Sequence, residues 1–285
     1  MAELSELLSR VDRLLDRLEH LIPTPPPEPD WRAPAFYWRA GNQGGYLQAV
    51  HQPHHIPLQA LQNVDQQKDR VLRNTAQFAA GKPANNLLLT GARGTGKSTL
   101  IKSCWHYHRD SIRLVEIDKP DLPQLGQLLL SLAERPERFI VFCDDLSFEE
   151  GEHHYKALKS ALDGSICAPG ENILFYATSN RRHLLPHKMS ENLETQQVDG
   201  DIRPGDSIEE KTSLSERFGL WLSFYPFRQD EYLAAARYWV ESLGGHWSED
   251  TRMAALRWSM TRGSRSGRVA WQFARDFIGG AGVDE

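Results

Sequence analysis

The chain has 285 residues, a formal net charge of -5 and 40% hydrophobic residues, which is typical of a globular protein with a full hydrophobic core. This charge excludes a protein that binds nucleic acid over its whole surface by bulk charge, but it allows a local basic face. The three cysteines are scattered and favour reduced thiols in a cytoplasmic protein, and no stretch reaches the roughly 20 apolar residues that span a bilayer.

The N-terminal segment, residues 1–22, is predicted to form an amphipathic helix. Apolar residues recur from Leu4 to Ile22 at spacings of four and three, an a/d pattern over nearly three heptads. Such a helix docks on its own domain, pairs in a short coiled coil, or lies on a membrane surface. Residues 23–57 are expected to form a proline-rich linker and then a loop-like aromatic segment that packs against the main domain.

Short apolar runs alternate with helical patterns over residues 58–226. The predicted strands are 86–90, 113–117, 139–143, 172–178 and 220–224, and the predicted helices are 58–80, 97–107, 121–134 and 152–162. This alternation predicts an α/β sandwich with a mostly parallel five-stranded sheet. Residues 227–285 hold only helical patterns and are expected to form a small helical domain.

The sequence GARGTGKS at residues 91–98 fits the phosphate-loop pattern G-x-x-x-x-G-K-[ST]. It follows a predicted strand and opens a predicted helix, so its backbone N–H groups and the helix dipole are expected to face phosphate oxygens. Lys97 is suited to neutralise the outer phosphates, and the Ser98 hydroxyl is suited to ligate Mg²⁺. The sequence therefore predicts a site for a nucleoside triphosphate, most simply ATP with Mg²⁺.

Two carboxylates, Asp144 and Asp145, follow the apolar strand predicted at residues 139–143. Asp144 is expected to hold Mg²⁺ directly or through water, which also makes the proximity of two like charges tolerable. Asp145 is expected to orient or deprotonate the attacking water, with a helix cap or turn as the alternative. Paired histidines elsewhere match no structural zinc spacing.

The phosphate loop, the acid pair and the helical tail together resemble the AAA+ ATPase superfamily, from about Leu58 to Phe277. The resemblance implies ATP hydrolysis with Mg²⁺ in a homo-oligomer, as a ring or an open ring. The run ATSN ending at Asn180 is similar to the sensor 1 element, in which a polar side chain contacts the γ-phosphate and the water. An ordinary capping role is the alternative for this residue.

Two arginines match further elements of the superfamily. The run LSERFG, which contains Arg217, is similar to the Arg-Phe box and implies an arginine finger that reaches the nucleotide of a neighbouring subunit; a surface ion pair is the alternative. The run SGRVAWQF, which contains Arg268, is similar to sensor 2, with Arg265 as the rival. Val64 lies in a stretch similar to the one that packs on adenine.

The resemblance assigns a catalytic role to Lys97, Asp145, Asn180, Arg217 and Arg268. It assigns nucleotide binding to Val64, Gly91, Arg93, Gly94, Thr95, Gly96, Lys97, Ser98 and Thr99. One departure is that the usual acid pair is Asp-Glu, so the shorter Asp145 predicts slow hydrolysis unless Glu149 or Glu150 substitutes. The runs YKALKSALDGS, YATSNRRHL and SLSERFGLWLSFYPF are similar to a bacterial AAA+ family known only as DUF 815, which implies no substrate.

The leading interpretation is an AAA+ ATPase that remodels or loads an unidentified protein or nucleic-acid partner. An ATP-dependent assembly switch or scaffold with little hydrolysis and a small-molecule phosphotransferase are the alternatives. Residues 117–139 lack the aromatic-apolar-glycine trio with which unfoldases grip chains, so loading or switching is favoured over protein threading. The acidic segment at residues 187–212 is expected to be a solvated loop, with a partner-binding loop as the alternative.

Overall fold

One sheet runs through the part of the chain that the computed structural model describes, which comprises residues 28–41, 44–148, 154–163, 171–181, 184, 196–198, 201–203 and 216–280. In chain order, the strands of this sheet are β1 (Ala35–Arg39), β2 (Tyr46–Val50), β3 (Leu87–Gly91), β4 (Ile112–Glu116), β5 (Arg138–Cys143), β6 (Ile173–Ser179) and β9 (Leu220–Phe224). Between β6 and β9, β7 (Gln196–Val198) and β8 (Asp201–Arg203) form a separate antiparallel pair. The predicted helix at residues 1–22, the carboxylates at 149 and 150, and most of the acidic segment at 187–212 lie outside the described residues.

The strand order is β2-β1-β4-β5-β6-β3-β9, and every neighbouring pair is parallel except β1 and β2. The prediction of an α/β fold with a mostly parallel sheet is therefore confirmed. The predicted count of five strands is wrong, because seven described strands join this sheet. The five predicted strands form one contiguous side of it, and β1 and β2 extend the edge beyond β4.

The two extra strands lie in the segment predicted to be a loop. β1 pairs with β4 on one side and β2 on the other, so it is an internal strand. Ala35, Phe36 and Trp38 are buried in β1, which gives a short aromatic run without clean alternation of polar and apolar residues. The residues of β1 do not alternate between polar and apolar types, and three glycines follow within six residues of its end. The local pattern therefore favours a loop rather than a strand.

The helices of the described chain are α1 (Asp65–Ala79), α2 (Lys97–Tyr107), α3 (Leu125–Ala133), α4 (His154–Asp163), α5 (Gln229–Ser242), α6 (Glu249–Thr261) and α7 (Gly267–Gly280). Alternate residues of β5 face opposite sides of the sheet: Phe139 and Val141 join the core cluster that includes α3, and Ile140 and Phe142 join the one that includes α1 and α2. The sheet is therefore covered on both faces, which explains its almost continuously apolar strands. No helix among the described residues has the length and apolar character needed to cross a membrane.

Helices α5, α6 and α7 enclose a third hydrophobic cluster, separate from those of the sheet. Tyr232 and Ala270 are fully buried there, and the Tyr232 hydroxyl donates to the Ala255 carbonyl at 3.0 Å. These three helices form the small helical unit expected from the sequence after residue 227. We refer to α5, α6 and α7 as the lid.

We predict that Phe36→Ala lowers the free energy of unfolding by about 3–5 kcal/mol, because it empties a core position in an internal strand. Phe36 is 1% exposed, whereas Tyr46 in neighbouring β2 is 36% exposed, so Tyr46→Ala serves as the control and should cost less. Chemical denaturation of the full chain measures both values. Equal losses in the two variants would contradict the internal position of β1.

Candidate functional site

The phosphate-loop sequence forms a tight turn between β3 and α2, at the carboxyl end of the sheet. Gly94 and Gly96 have φ values of 75° and 95°, in the left-handed region that favours glycine. A Cβ atom at Gly94 would lie 2.7 Å from Ser266 Oγ, so a side chain there meets the lid. The turn therefore needs glycine both for its backbone conformation and for the close approach of the lid.

Lys97 lies at the start of α2 and is 6% exposed. Its Nζ donates to the carbonyl oxygens of Gly91 and Ala92, each at 2.8 Å, and to Asn180 Oδ1 at 2.9 Å. Burial lowers the pKa of this ammonium group from 10.5 to about 8, although nearby Asp144 and Asp145 oppose the shift. A cation is thus held inside the loop, where a polyphosphate anion would relieve the cost of its desolvation.

Asp144 and Asp145 follow β5, and Thr178 at the end of β6 connects them. The Thr178 hydroxyl donates to Asp144 Oδ1 and accepts from the Asp145 backbone N–H at 3.0 Å. Asp145 has a φ of 50°, a left-handed conformation that aspartate tolerates better than most residues. This turn brings both exposed carboxylates to the end of the sheet beside the phosphate loop.

Asn180 connects the second carboxylate to the lysine. Its Nδ2 donates to Asp145 Oδ1 at 2.6 Å, while its Oδ1 accepts from Lys97 Nζ. On the other side, the Ser98 hydroxyl donates to Asp144 Oδ1 at 2.5 Å. We call these residues the polar chain, a continuous series of hydrogen bonds formed by Ser98, Asp144, Thr178, Asp145, Asn180 and Lys97.

The paired oxygens of Ser98 and Asp144 fit the ligand preference of Mg²⁺, which takes hard oxygen donors and retains several waters. The described residues contain no group of three or more His, Cys, Asp or Glu side chains suited to enclose a metal ion. Two protein oxygens in an open cavity fit an ion whose remaining ligands come from water and phosphate. These are the residues that would hold Mg²⁺.

A cavity of about 550 Å³ lies between the phosphate loop, the polar chain and the lid. Arg93 and Arg268 line it, as do the loop residues from Gly94 to Thr99. The backbone N–H of Arg268, in the first turn of α7, donates to the Gly94 carbonyl at 3.2 Å. The lid is therefore docked directly on the phosphate loop.

Several predicted residues lie away from this cavity. Val64 is 4% exposed and packs in the core cluster of α1 and α2, whereas Leu61 lines the cavity. Arg265 lines a separate pocket beside Phe227, so Arg268 is the sensor 2 candidate that reaches the site. Arg217 lines a different cavity near Gly219 and Asn86, at the opposite ends of the strands.

Sequence reasoning missed several residues that the structure brings to the cavity, among them Thr178, Trp239 and Trp271. A signal existed for Thr178, since it precedes Asn180 by two positions and therefore faces the same side of β6. Trp239 and Trp271 lie on different lid helices and meet only in the folded lid, with ring centroids 4.4 Å apart. Nothing in their separate helical patterns distinguished them from core residues.

We predict that Lys97 makes the metal-free protein more stable as the pH rises from about 8 to about 10.5, because the unfolded chain then binds more protons than the folded one. Below about pH 8 both states are protonated and the cost of burial is present in full. The free energy of unfolding, compared between wild type and Lys97→Met, isolates this effect from other titrations. A difference that does not change with pH across this range would contradict the lowered pKa.

Comparison with known proteins agrees with this architecture. A family model described as "Protein of unknown function (DUF815)" matches residues 31–281. No curated protein matches the chain.

Two solved structures share the fold at low sequence identity. The RuvB Holliday junction branch migration motor of Thermotoga maritima has a TM-score of 0.52 and 18% identity, covering 78% of this chain and 64% of that one. The Orc1 protein of Aeropyrum pernix, solved in complex with DNA, has a TM-score of 0.55 and 14% identity, covering 79% of this chain and 62% of that one. This chain thus spans less than two thirds of the length of either neighbour. It belongs to the DUF815 family of proteins of unknown function, and it shares its fold with RuvB and Orc1.

Proposed function

We propose that this protein binds ATP with Mg²⁺ and hydrolyses it within a homo-oligomer, coupling hydrolysis to the remodelling or loading of a protein or nucleic-acid partner. The observation that carries the proposal is the polar chain, which joins the phosphate-loop lysine to both strand-end carboxylates inside one cavity. Phosphoryl transfer depends chiefly on positioning and on electrostatic stabilisation, and this arrangement supplies both.

Different residues of the cavity are proposed to bind the phosphates and the metal ion. The loop N–H groups, Lys97 and Arg268 bind and neutralise the phosphates, while Ser98 and Asp144 hold the metal. When bound, Mg²⁺ supplies charge neutralisation between the phosphate oxygens. Backbone and side chains that are fixed before binding lose little freedom on binding, which favours affinity.

Asp145 and Asn180 are the residues proposed to hold the attacking water. The Asp145 carboxylate keeps a free oxygen to accept from water, because Asn180 donates to its Oδ1. Asn180 also accepts from Lys97, so its amide is fixed between Lys97 and Asp145. Positioning by such a pair raises the fraction of bound water in an in-line geometry.

Arg217 is proposed to act on the nucleotide of a neighbouring subunit. It lies near the amino ends of β3 and β9, whereas the phosphate loop follows the carboxyl end of β3. At about 3.3 Å per residue, the six residue steps from Asn85 to Gly91 place these ends roughly 20 Å apart. This separation supports a role in trans, where a planar guanidinium stabilises the charge of the transition state.

Docking of the lid on the phosphate loop supports a coupling of nucleotide state to motion. Arg268 contacts the loop through its backbone and reaches the cavity with its side chain, so the loss of a phosphate changes the forces on α7. The names of the two structural neighbours describe a branch migration motor and a complex with DNA. A nucleic-acid partner is therefore proposed for testing beside a protein partner.

The cytoplasm is the proposed location. Cys104 and Cys143 are buried free thiols, and burial raises the pKa of each to about 12, which makes them unreactive. Such thiols agree with a reducing compartment.

A nucleotide-dependent switch with little hydrolysis is the second candidate, favoured by the identity of residue 145. Aspartate is one methylene shorter than the glutamate usual in the superfamily, and its Oδ1 already accepts a hydrogen bond from Asn180. The shorter side chain reduces the reach of Asp145 toward a water, and the hydrogen bond leaves its other carboxylate oxygen to accept from that water. In this alternative, ATP drives assembly and is released without appreciable turnover.

We predict that Asp145→Asn lowers the rate of phosphate release at least roughly 100-fold, because the amide cannot act as a base. The dissociation constant for ATP should change little, since Asp145 is not proposed to hold the phosphates. Asp118→Asn is a matched control, since Asp118 follows β4, is exposed and is absent from the cavity lining. Unchanged turnover in Asp145→Asn would remove this residue from catalysis, and absent turnover in the wild type would favour the switch.

We predict that Arg217→Ala lowers turnover by roughly 1,000-fold or more while ATP binding remains, as expected for the loss of an arginine finger. Mixing this variant with Lys97→Ala subunits should restore part of the activity, because some mixed sites combine the intact Lys97 of one subunit with the intact Arg217 of its neighbour. Arg257→Ala, at an exposed lid position, controls for the loss of surface charge. Failure of the mixture to regain activity would contradict action in trans.

A further inference from the structure

The cavity has two chemically different ends. The loop, the polar chain and Arg268 form a polar end, whereas Ile56, Leu61, Trp239 and Trp271 contribute large apolar surfaces to its lining. The two indoles belong to different lid helices, α5 and α7, and their planes meet at 59° with centroids 4.4 Å apart. One cavity therefore combines groups suited to bind phosphates with aromatic side chains. This combination suits a ligand in which a flat, apolar ring is attached to phosphates.

Trp271 contacts the lid through the Trp239 ring and the Arg275 guanidinium, outside the buried cluster. Trp239 and Trp258 pack against the buried cluster of the lid, whereas among the described residues Trp271 is absent from that set. Trp271 is only partly buried and lines the cavity. A flat ring bound against the cavity side of this indole would remove apolar surface from water.

The position of Trp271 on α7 relates it to the phosphate end. It follows Arg268 by three residues, so the two side chains project from the same face of the helix. The start of α7 is fixed on the phosphate loop by the hydrogen bond from the Arg268 N–H to the Gly94 carbonyl. One helix therefore carries a cation for the phosphates and an aromatic surface at a fixed spacing from it.

We propose that Trp271, supported by Trp239, stacks on the base of the bound nucleotide and selects purine over pyrimidine nucleotides. The proposal rests on the proposed function, since it concerns the ligand of the same cavity. Ile56 and Leu61 provide an aliphatic surface in the same cavity, and the Ser103 hydroxyl fixes the segment that carries Ile56 by donating to its carbonyl. Stacking strength increases with the area of overlap, so the larger purine ring gains more from the indole than a pyrimidine does.

The experiment measures the binding of ATP, UTP and inorganic tripolyphosphate to the full chain by calorimetry. Tripolyphosphate carries the phosphates without a base, so it reports the polar end of the cavity alone. The variants are Trp271→Leu, which removes the aromatic surface, and Trp271→Phe, which keeps one. Trp258→Leu is the matched control, because Trp258 lies on α6 and does not line the cavity.

We expect Trp271→Leu to weaken ATP binding by roughly 10-fold to 100-fold, the range found when an aromatic residue that stacks on a base is removed. Tripolyphosphate binding should change less than about twofold, and the preference of the wild type for ATP over UTP should shrink. Trp271→Phe should keep most of the affinity for ATP, and Trp258→Leu should keep the preference for ATP over UTP.

Two results would overturn the proposal. Equal losses for ATP and tripolyphosphate in Trp271→Leu would show that Trp271 shapes the lid rather than contacts the base. Unchanged ATP affinity in Trp271→Leu would show that the base binds elsewhere. If Trp271→Leu does not fold, the test uses the ATP and UTP affinities of the wild type, and equal affinities would contradict the proposal. Failure of the wild type to bind either ATP or tripolyphosphate would instead refute the proposed function itself.

Discussion

The parallel pairing of β6 with β5 on one side and β3 on the other is the constraint on which the site depends. Its register sets Cys143 opposite Ala177 and Thr90 opposite Ser179, so the residues that follow these three strands emerge together at one edge. Every residue of β6 is buried, which makes any shift in register costly because it would move a whole apolar face. The polar chain forms across this edge since parallel strands end on the same side of the sheet.

The lid adds a second constraint, which is its contact with the phosphate loop. Gly94 has no side chain, so Ser266 and the start of α7 approach the loop closely enough for a backbone hydrogen bond. This contact sets where Arg268 and Trp271 lie relative to the phosphate loop. In the proposed function, nucleotide binding and lid position are linked in both directions, because a ligand that holds α7 also stabilises the docked arrangement.

The two ends of the sheet serve different subunits in the proposed assembly. The carboxyl ends carry the subunit's own site, whereas the amino ends carry Arg217 beside a second cavity. The length of the strands separates these sites within one chain, so a complete catalytic set requires a neighbour whose opposite edge faces the cavity. In this proposal, such a division makes turnover depend on assembly.

The sequence by itself determined the features that depend on short segments: the phosphate loop, the acid pair after an apolar strand, the α/β class and the helical unit after residue 227. The first two are short motifs, and the last two follow from the order of strands and helices whose patterns are each local. Only the tertiary structure decided that β1 and β2 extend the sheet, that Leu61 rather than Val64 lines the cavity, and that Trp239 meets Trp271. These features depend on contacts between residues that are far apart in sequence. Because the hydrophobic effect is non-directional, it does not specify which distant residues meet, and the packing of the whole chain determines those contacts.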